Sequence, residues 1–288
     1  MVSVGSVITG AFRLFSEQWK ALLIWAGVTL LFTIGGSLLV FAGGVGRTGV
    51  APTSSVAVMR LLVPFYLFWA VAGLVQTGAA FRAVMQPSRS AVGFLRLGMD
   101  ELRLLGLAFV WFTMNMILYM LLVMVAAGVI GALVGVMGSP GPAIFILLTI
   151  VLLPIYGVMI YVHVRLSPAI PLTLLRGHIV IGEAWRLTQG QFWRLFAAYA
   201  VIVFGLAIGY FALILVTMGP LLNGIARGIA PSSGTMAQMQ TFGPLMVVTW
   251  LASTAFTVCV YAMWAGSVGT ATLQLLGATT TDYAATFE

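Results

Sequence analysis

Long apolar runs dominate the chain, interrupted at intervals by short polar stretches. Six runs stand out, at about 21–42, 58–80, 104–137, 143–164, 195–222 and 245–276. Each reaches the roughly 20 mostly apolar residues that a helix needs to cross a hydrocarbon core about 30 Å thick. Runs 104–137 and 245–276 are longer than a perpendicular crossing requires. At about 1.5 Å per residue the former extends on the order of 50 Å, so part of it has to tilt, bend or leave the hydrocarbon. The connections at 43–57 and 223–241 are rich in Gly, Ser, Thr and Pro, and 138–142 forms a tight turn. Those at 81–103 and 165–194 are longer and charged.

Ahead of the first and third runs the pattern changes to a helical period. Val92, Leu95, Met99 and Leu102 make one stripe, and Arg89, Gly93, Arg96, Asp100 and Arg103 make the opposite one. Near the start, Val4, Ile8, Ala11, Phe12, Phe15 and Trp19 oppose Ser6, Thr9, Arg13, Glu17 and Lys20. Such segments are expected to lie in the membrane interface, apolar face down and basic face toward headgroups. A third segment of this kind carries Arg186 and Arg194, and Gly190 weakens it.

The segments share landmarks. Phe12-Arg13-Leu14, Leu95-Arg96-Leu97 and Trp185-Arg186-Leu187 are each followed, six places after the Arg, by Trp19, Leu102 or Phe192, and then by Lys20, Arg103 or Arg194. Pro64, Pro154 and Pro244 are evenly spaced, one early in the second helix of each unit. The first turn, where a missing N–H has no helical partner, is their expected place. The expected fold is therefore an all-α membrane protein within one transmembrane domain, 1–288. Its six transmembrane helices form three parallel repeats, each an interfacial amphipathic helix plus a transmembrane hairpin. The units run at about 1–87, 88–177 and 178–277, with a short cytoplasmic tail at 278–288. Repeats with two crossings each enter the membrane the same way, which implies a pseudo-threefold axis along the membrane normal.

Composition strengthens the membrane reading. Of 288 residues, 61% are hydrophobic and 7% charged, with a mean hydropathy of +1.13. Soluble domains carry about 25% charged residues. The net charge of +7 comes from 13 basic and 6 acidic residues. Because the basic residues flank apolar runs, the partners implied are anionic membrane lipids and not nucleic acid. All the basic residues except Arg47, Arg60 and Arg227 fall on one side of the six crossings, as do all the acidic ones. The positive-inside rule makes that side cytoplasmic and places both termini there. Residues 2–18 lack the uninterrupted apolar core of a cleavable signal, so the first crossing is expected to direct insertion. No lipidation motif is present at either end.

Candidate chemistry is sparse. Arg13, Trp19, Lys20, Arg89, Arg96, Arg103, Arg186 and Arg194 are candidates for headgroup contact or for anchoring helix depth, the ordinary role of such residues. Gly131-x-x-x-Gly135 and Gly205-x-x-x-Gly209 permit close helix approach, with an internal partner or a second copy. Gln76 and Asn115 sit within apolar runs, where interhelical hydrogen bonding is the default. His163 and His178 have no acidic or thiol neighbour at ligand spacing, and Cys259 is the only cysteine, so no metal site or cofactor is implied. No acidic residue lies within a crossing, which disfavours ion-coupled transport. No P-loop and no Ser-His-Asp or His-Glu-x-x-His arrangement is present.

Residues 10–23, Gly-Ala-Phe-Arg-Leu-Phe-Ser-Glu-Gln-Trp-Lys-Ala-Leu-Leu, resemble the opening of a bacterial inner-membrane family. That family includes the membrane domain ahead of some glycerophosphodiester phosphodiesterases. The resemblance implies an interfacial helix running into a crossing and a membrane-accessory role, without the phosphodiesterase chemistry. The expected function is a non-enzymatic inner-membrane scaffold or accessory subunit that organises lipid or a partner membrane protein, with homo-oligomerisation as one form of partnership. The alternative is a passive channel or small-molecule facilitator, in which Asn115, Gln76 and Thr33 converge on a polar path. A third reading, a membrane-embedded lipid enzyme, needs Glu17, Asp100, Glu101 and Glu183 to gather at one pocket.

Overall fold

The computed structural model describes residues 2–40, 55–86, 92–95, 98–137, 142–226 and 236–277. These are helical, with no strand among them. The elements are α1 (Val4–Glu17), α2 (Trp19–Val40), α3 (Ser55–Met85), α4 (Met99–Met137), α5 (Pro142–Leu166), α6 (Ala169–Arg176), α7 (Ile181–Leu187), α8 (Phe192–Ala226) and α9 (Met236–Leu275). Six of them, α2, α3, α4, α5, α8 and α9, are long and apolar enough to cross a membrane. They coincide with the six apolar runs, and the chain is a multi-pass membrane protein. Arg89 and Arg96, together with Arg47, Arg227 and the tail 278–288, lie outside the described residues.

The long helices pack as α2 with α3, α4 with α5 and α8 with α9, and further contacts join α3 to α4, α5 to α8, and α9 to α2 and α3. The two ends of the chain meet: the Ser3 backbone N–H donates to Gln274 Oε1 at 2.9 Å, and Gln274 Nε2 donates to Ser6 Oγ. Around this meeting point lies one charged end of the bundle, where α1, α6 and α7 also sit.

Small residues decide how α9 is covered. Ala262 and Ala265 are fully buried. A side chain at Gly266 would collide with the Gly10 carbonyl of α1, one at Gly10 with Thr270 of α9, and one at Gly269 with Val84 of α3, 2.7 Å away. Backbones approach this closely only where no Cβ intervenes, and within lipid such dispersion contacts drive helix association. The resulting core joins Leu14, Trp25, Phe81, Ala262, Ala265 and Val268.

The three segments expected to lie in the interface do not form three like helices. α1 forms, but it buries Val7, Gly10, Ala11 and Leu14 against protein and leaves Phe12 54% exposed, as is Trp19 at the start of α2. The stripe expected to face lipid is thus divided, because the glycines let α9 claim one side of it. The helix expected across Val92–Arg103 is not continuous, since Leu95 is non-helical. Val92–Phe94 is a single 3-10 turn in which Gly93 and Phe94 both have φ of 60°, outside helical geometry. Their carbonyls accept side-chain donors instead: Trp25 Nε1 to Gly93 O at 2.7 Å and Arg82 Nη1 to Phe94 O at 2.9 Å. A fresh helix, α4, then begins at Met99. In the third unit the segment is cut to α7, and Gly190 (φ 73°) turns the chain into α8. Pro64 and Pro154 lie inside α3 and α5, not in their first turns: the helices begin at Ser55 and Pro142, more than two turns ahead of each proline.

Candidate functional site: a cavity within the helical bundle

A cavity of about 1340 Å³ opens between α3, α4, α5, α8 and α9. This exceeds the roughly 300–1,000 Å³ of most small-molecule pockets. No residue of α2 lines it, since α2 is held away on the Trp25 side of α9. From Leu104 to Asn115 along α4 it runs about 16 Å at the helical rise, roughly half a hydrocarbon core. Leu104, Leu107, Val164 and Val268 bury its walls at the charged end, whereas Phe112, Ile160, Val203 and Phe204 are exposed around its wider part. Ile170 of α6 also contributes to its lining.

Among the described residues, no Lys, Arg, Asp or Glu lines this space. Several of its polar groups come from α4, α5 and α8, with Thr77 of α3 and Trp264 and Ser267 of α9 also on the lining. Trp111 and Asn115 are an i,i+4 pair that share a face of α4, while His163 lies in the last turn of α5 and Ser167 in the turn that follows it. The His163 ring meets the Trp111 ring edge-on at 4.9 Å between centroids, and Asn115 Nδ2 donates to Trp111 O at 2.8 Å. Ser167 Oγ donates to Val164 O at 2.9 Å and lies 3.0 Å from the Tyr199 hydroxyl. Because a carbonyl can only accept, the serine proton is committed, so Tyr199 donates to Ser167. His163 Nδ1 lies 2.7 Å from Met159 O; a carbonyl only accepts, so Nδ1–H is the donor, and in that tautomer Nε2 is an acceptor.

Of the residues the sequence singles out, only Asn115 and His163 line the cavity. Gln76 is buried on the α2–α3 seam, where Nε2 donates to Thr29 Oγ1 at 2.7 Å, and Thr33 Oγ1 donates to Thr29 O at 2.8 Å on the same helix. Among the described residues, the polar path that a channel calls for therefore does not assemble. The acidic side chains are likewise dispersed. Glu17 pairs with Arg13 at 2.7 Å, Asp100 with Arg103 at 2.9 Å and Glu183 with Arg176 at 2.9 Å, and no acidic residue lines the cavity.

Glu101 is different from the other three. It forms a buried ion pair with Arg82 of α3 and accepts the Gly98 N–H at 2.8 Å, which caps α4. Arg82 enters the sequence only as one of the charges that orient the chain. It is instead the clasp that holds the 3-10 turn. Arg165 is also buried; its guanidinium carbon lies 4.6 Å from the Trp185 ring centroid and 5.7 Å from that of Tyr161, with Nε unbonded.

Trp19, Lys20, Arg186 and Arg194 are exposed at the charged end, as is Arg13, and Lys20 Nζ lies 5.8 Å from the Trp19 ring centroid. Arg103 is half-buried. The close packing expected at the two Gly-x-x-x-Gly pairs is realised only at Gly209, where an added Cβ would sit 3.3 Å from Phe256. Around Gly131, Gly135 and Gly205 no described atom comes within 4 Å, because α4 and α8 turn those faces outward. The signal that would have found the tighter seam is the series Ala262, Ala265, Gly266 and Gly269, small residues at helical spacing. The polar pairs Trp111/Asn115 and His163/Ser167 were the corresponding signal for the cavity.

Comparison of the chain with protein-family models, with curated proteins and with solved structures finds no match. The family resemblance therefore rests on the sequence itself: residues 10–23, the repeat starts and the hydrophobic layout of the chain.

Proposed function

We propose that this chain is a non-enzymatic, multi-pass inner-membrane protein that holds a lipid within its helical bundle and acts as a scaffold or accessory subunit. The observation that carries this reading is the cavity: large, walled by apolar side chains from five crossing helices and free of charged lining residues. Empty apolar space of this size forfeits dispersion contacts over its whole lining, and in a bilayer the abundant apolar filler is lipid.

The orientation follows from charge. The charged end is the cytoplasmic one, with both termini there, and Arg13, Trp19, Lys20, Arg103, Arg186 and Arg194 stand where they can meet anionic headgroups, with Arg89 and Arg96 assigned to the same surface by their place in the chain. The three hairpins α2–α3, α4–α5 and α8–α9 are the transmembrane parts of the three repeats. Their starts have diverged, and the cavity takes the place of a packed pseudo-threefold centre on the side away from α2. The outward faces at Gly131, Gly135 and Gly205 suit a partner helix or a second copy.

Purification in mild detergent followed by native mass spectrometry tests this reading. Lipid adducts that survive delipidation and disappear when Ala207→Trp fills the cavity are expected. Persistent isolation of a lone, lipid-free monomer would sink it.

A further inference from the structure

The polar corner of the cavity specifies the head of the lipid it takes. Resting on the lipid-holding reading above, we infer that the ligand is an uncharged long-chain lipid whose head bears a hydroxyl group, seated against His163, Ser167 and Tyr199. Three observations lead there.

The first is electrostatic. Among the described residues, a phosphate or carboxylate in this space would have no Lys or Arg side chain on the lining to pair with, and an unpaired buried charge is strongly disfavoured. Arg82 and Arg165 do not line the cavity; the former is occupied by Glu101 and the latter is stacked on Trp185.

The second is the direction of the hydrogen bonds. Ser167 has given its proton to Val164 O, Tyr199 has given its own to Ser167, and His163 has given Nδ1–H to Met159 O. Ser267 has likewise given its proton to Trp264 O at 2.9 Å. What these groups still offer is lone pairs: the hydroxyl oxygens and the imidazole Nε2. A head that only accepts, such as a quinone or ester carbonyl, finds no donor among them. A hydroxyl donates to one of them, and its own oxygen can accept from Trp111 or Trp264, whose indole N–H groups can only donate.

The third is position. The corner sits at the charged end of the cavity, while the remaining lining toward mid-membrane is mostly Leu, Ile, Val, Phe and Ala, with Asn115 and Tyr156 as its deeper polar groups. The head is placed near the headgroup level and the tail in the bilayer half.

The test uses the full chain in phosphatidylcholine nanodiscs and tritiated geranylgeraniol, a long-chain neutral alcohol, as the probe. Saturable binding is expected, with competition by 1,2-dioleoylglycerol. Oleate, phosphatidylglycerol and a long-chain quinone should compete at least about 10-fold more weakly, the ratio one lost hydrogen bond of about 1.4 kcal/mol produces. The paired substitutions Ser167→Ala and Tyr199→Phe should weaken the alcohol about 10-fold and leave binding of squalene, which has no head, within about 2-fold. Should that double variant fail to fold, His163→Phe, which keeps a ring beside Trp111, reads the same effect. Equal or tighter binding of oleate, phosphatidylglycerol or the quinone overturns the assignment of the head, as does an unchanged affinity in both variants. Ala207→Trp separates the two readings: it should abolish alcohol and squalene binding together. If neither responds to it, the cavity holds no lipid and the parent reading fails as well.

Discussion

Arg82 and Glu101 offer the sharpest test of how this bundle is held together. Their side chains are each 7% exposed, on two different helices, and each makes a second bond that depends on the pair. Arg82 donates to Phe94 O and Glu101 accepts from Gly98 N. Glu101→Met leaves a guanidinium buried without its counter-ion and an uncapped α4. Breaking a buried pair from one side costs about 3–5 kcal/mol. Arg82→Met strands the carboxylate at similar cost. The double variant removes both charges and leaves only two neutral backbone groups short of a partner, each costing about 1–3 kcal/mol. It should therefore be no less stable than either single variant, with a coupling energy of at least about 3 kcal/mol in the double-mutant cycle. Equilibrium unfolding in mixed SDS micelles measures this directly. The Arg13–Glu17 pair, at 46% and 48% exposure, is the control, and its coupling should stay below about 0.5 kcal/mol. If Glu101→Met costs less than about 1 kcal/mol, or the two pairs couple equally, then burial is not what distinguishes them and the clasp is misread.

Other outcomes follow from single contacts. Gly266→Ala should cost roughly 1–3 kcal/mol by driving a methyl into the Gly10 carbonyl, whereas Gly131→Ala, which meets nothing within 4 Å, should shift thermal stability by less than about 0.5 kcal/mol; equal losses would contradict the α1–α9 seam. Gly93→Ala places a Cβ on a residue with φ of 60° and 3.0 Å from Ile24, so a loss of at least about 1–2 kcal/mol is expected in the same unfolding assay. Arg165→Met should be milder than Arg82→Met, by about 2 kcal/mol or more, because no ion pair is broken and the replaced Nε has no partner. For orientation, on a Cys259→Ala background, Arg47→Cys should react with an impermeant maleimide on intact cells and Lys20→Cys only after permeabilisation; the reverse pattern would invert the topology.

The six crossings were legible because the signal is thermodynamic and local: an unbroken apolar run has no better solvent than lipid, whatever its neighbours do. The unit starts were less so. Val92 to Arg103 has a helical period, yet the chain turns at Gly93 and Phe94 because Trp25 and Arg82, from two other helices, take the carbonyls a helix would have used. Periodicity reports what one segment would do alone, and here partners distant in the chain outcompete it. The glycine pairs show the same limit. Spacing marks where close approach is possible, and only the partner's arrival at Gly10, Gly266 and Gly269 makes it real.

Composition and pattern by themselves determined that this is a helical membrane protein, how many times it can cross, and that its charge collects at one end. Those properties depend on transfer free energies summed along single segments. The tertiary structure alone decided that Arg82 and Glu101 form a buried pair, that α1 docks on α9, that Gln76 and Asn115 part company, and that Ser167, Tyr199 and His163 share one wall of an apolar cavity. Each of these is a relation between helices far apart in sequence, set by which side chains are small enough to let backbones close and which are large enough to hold them open.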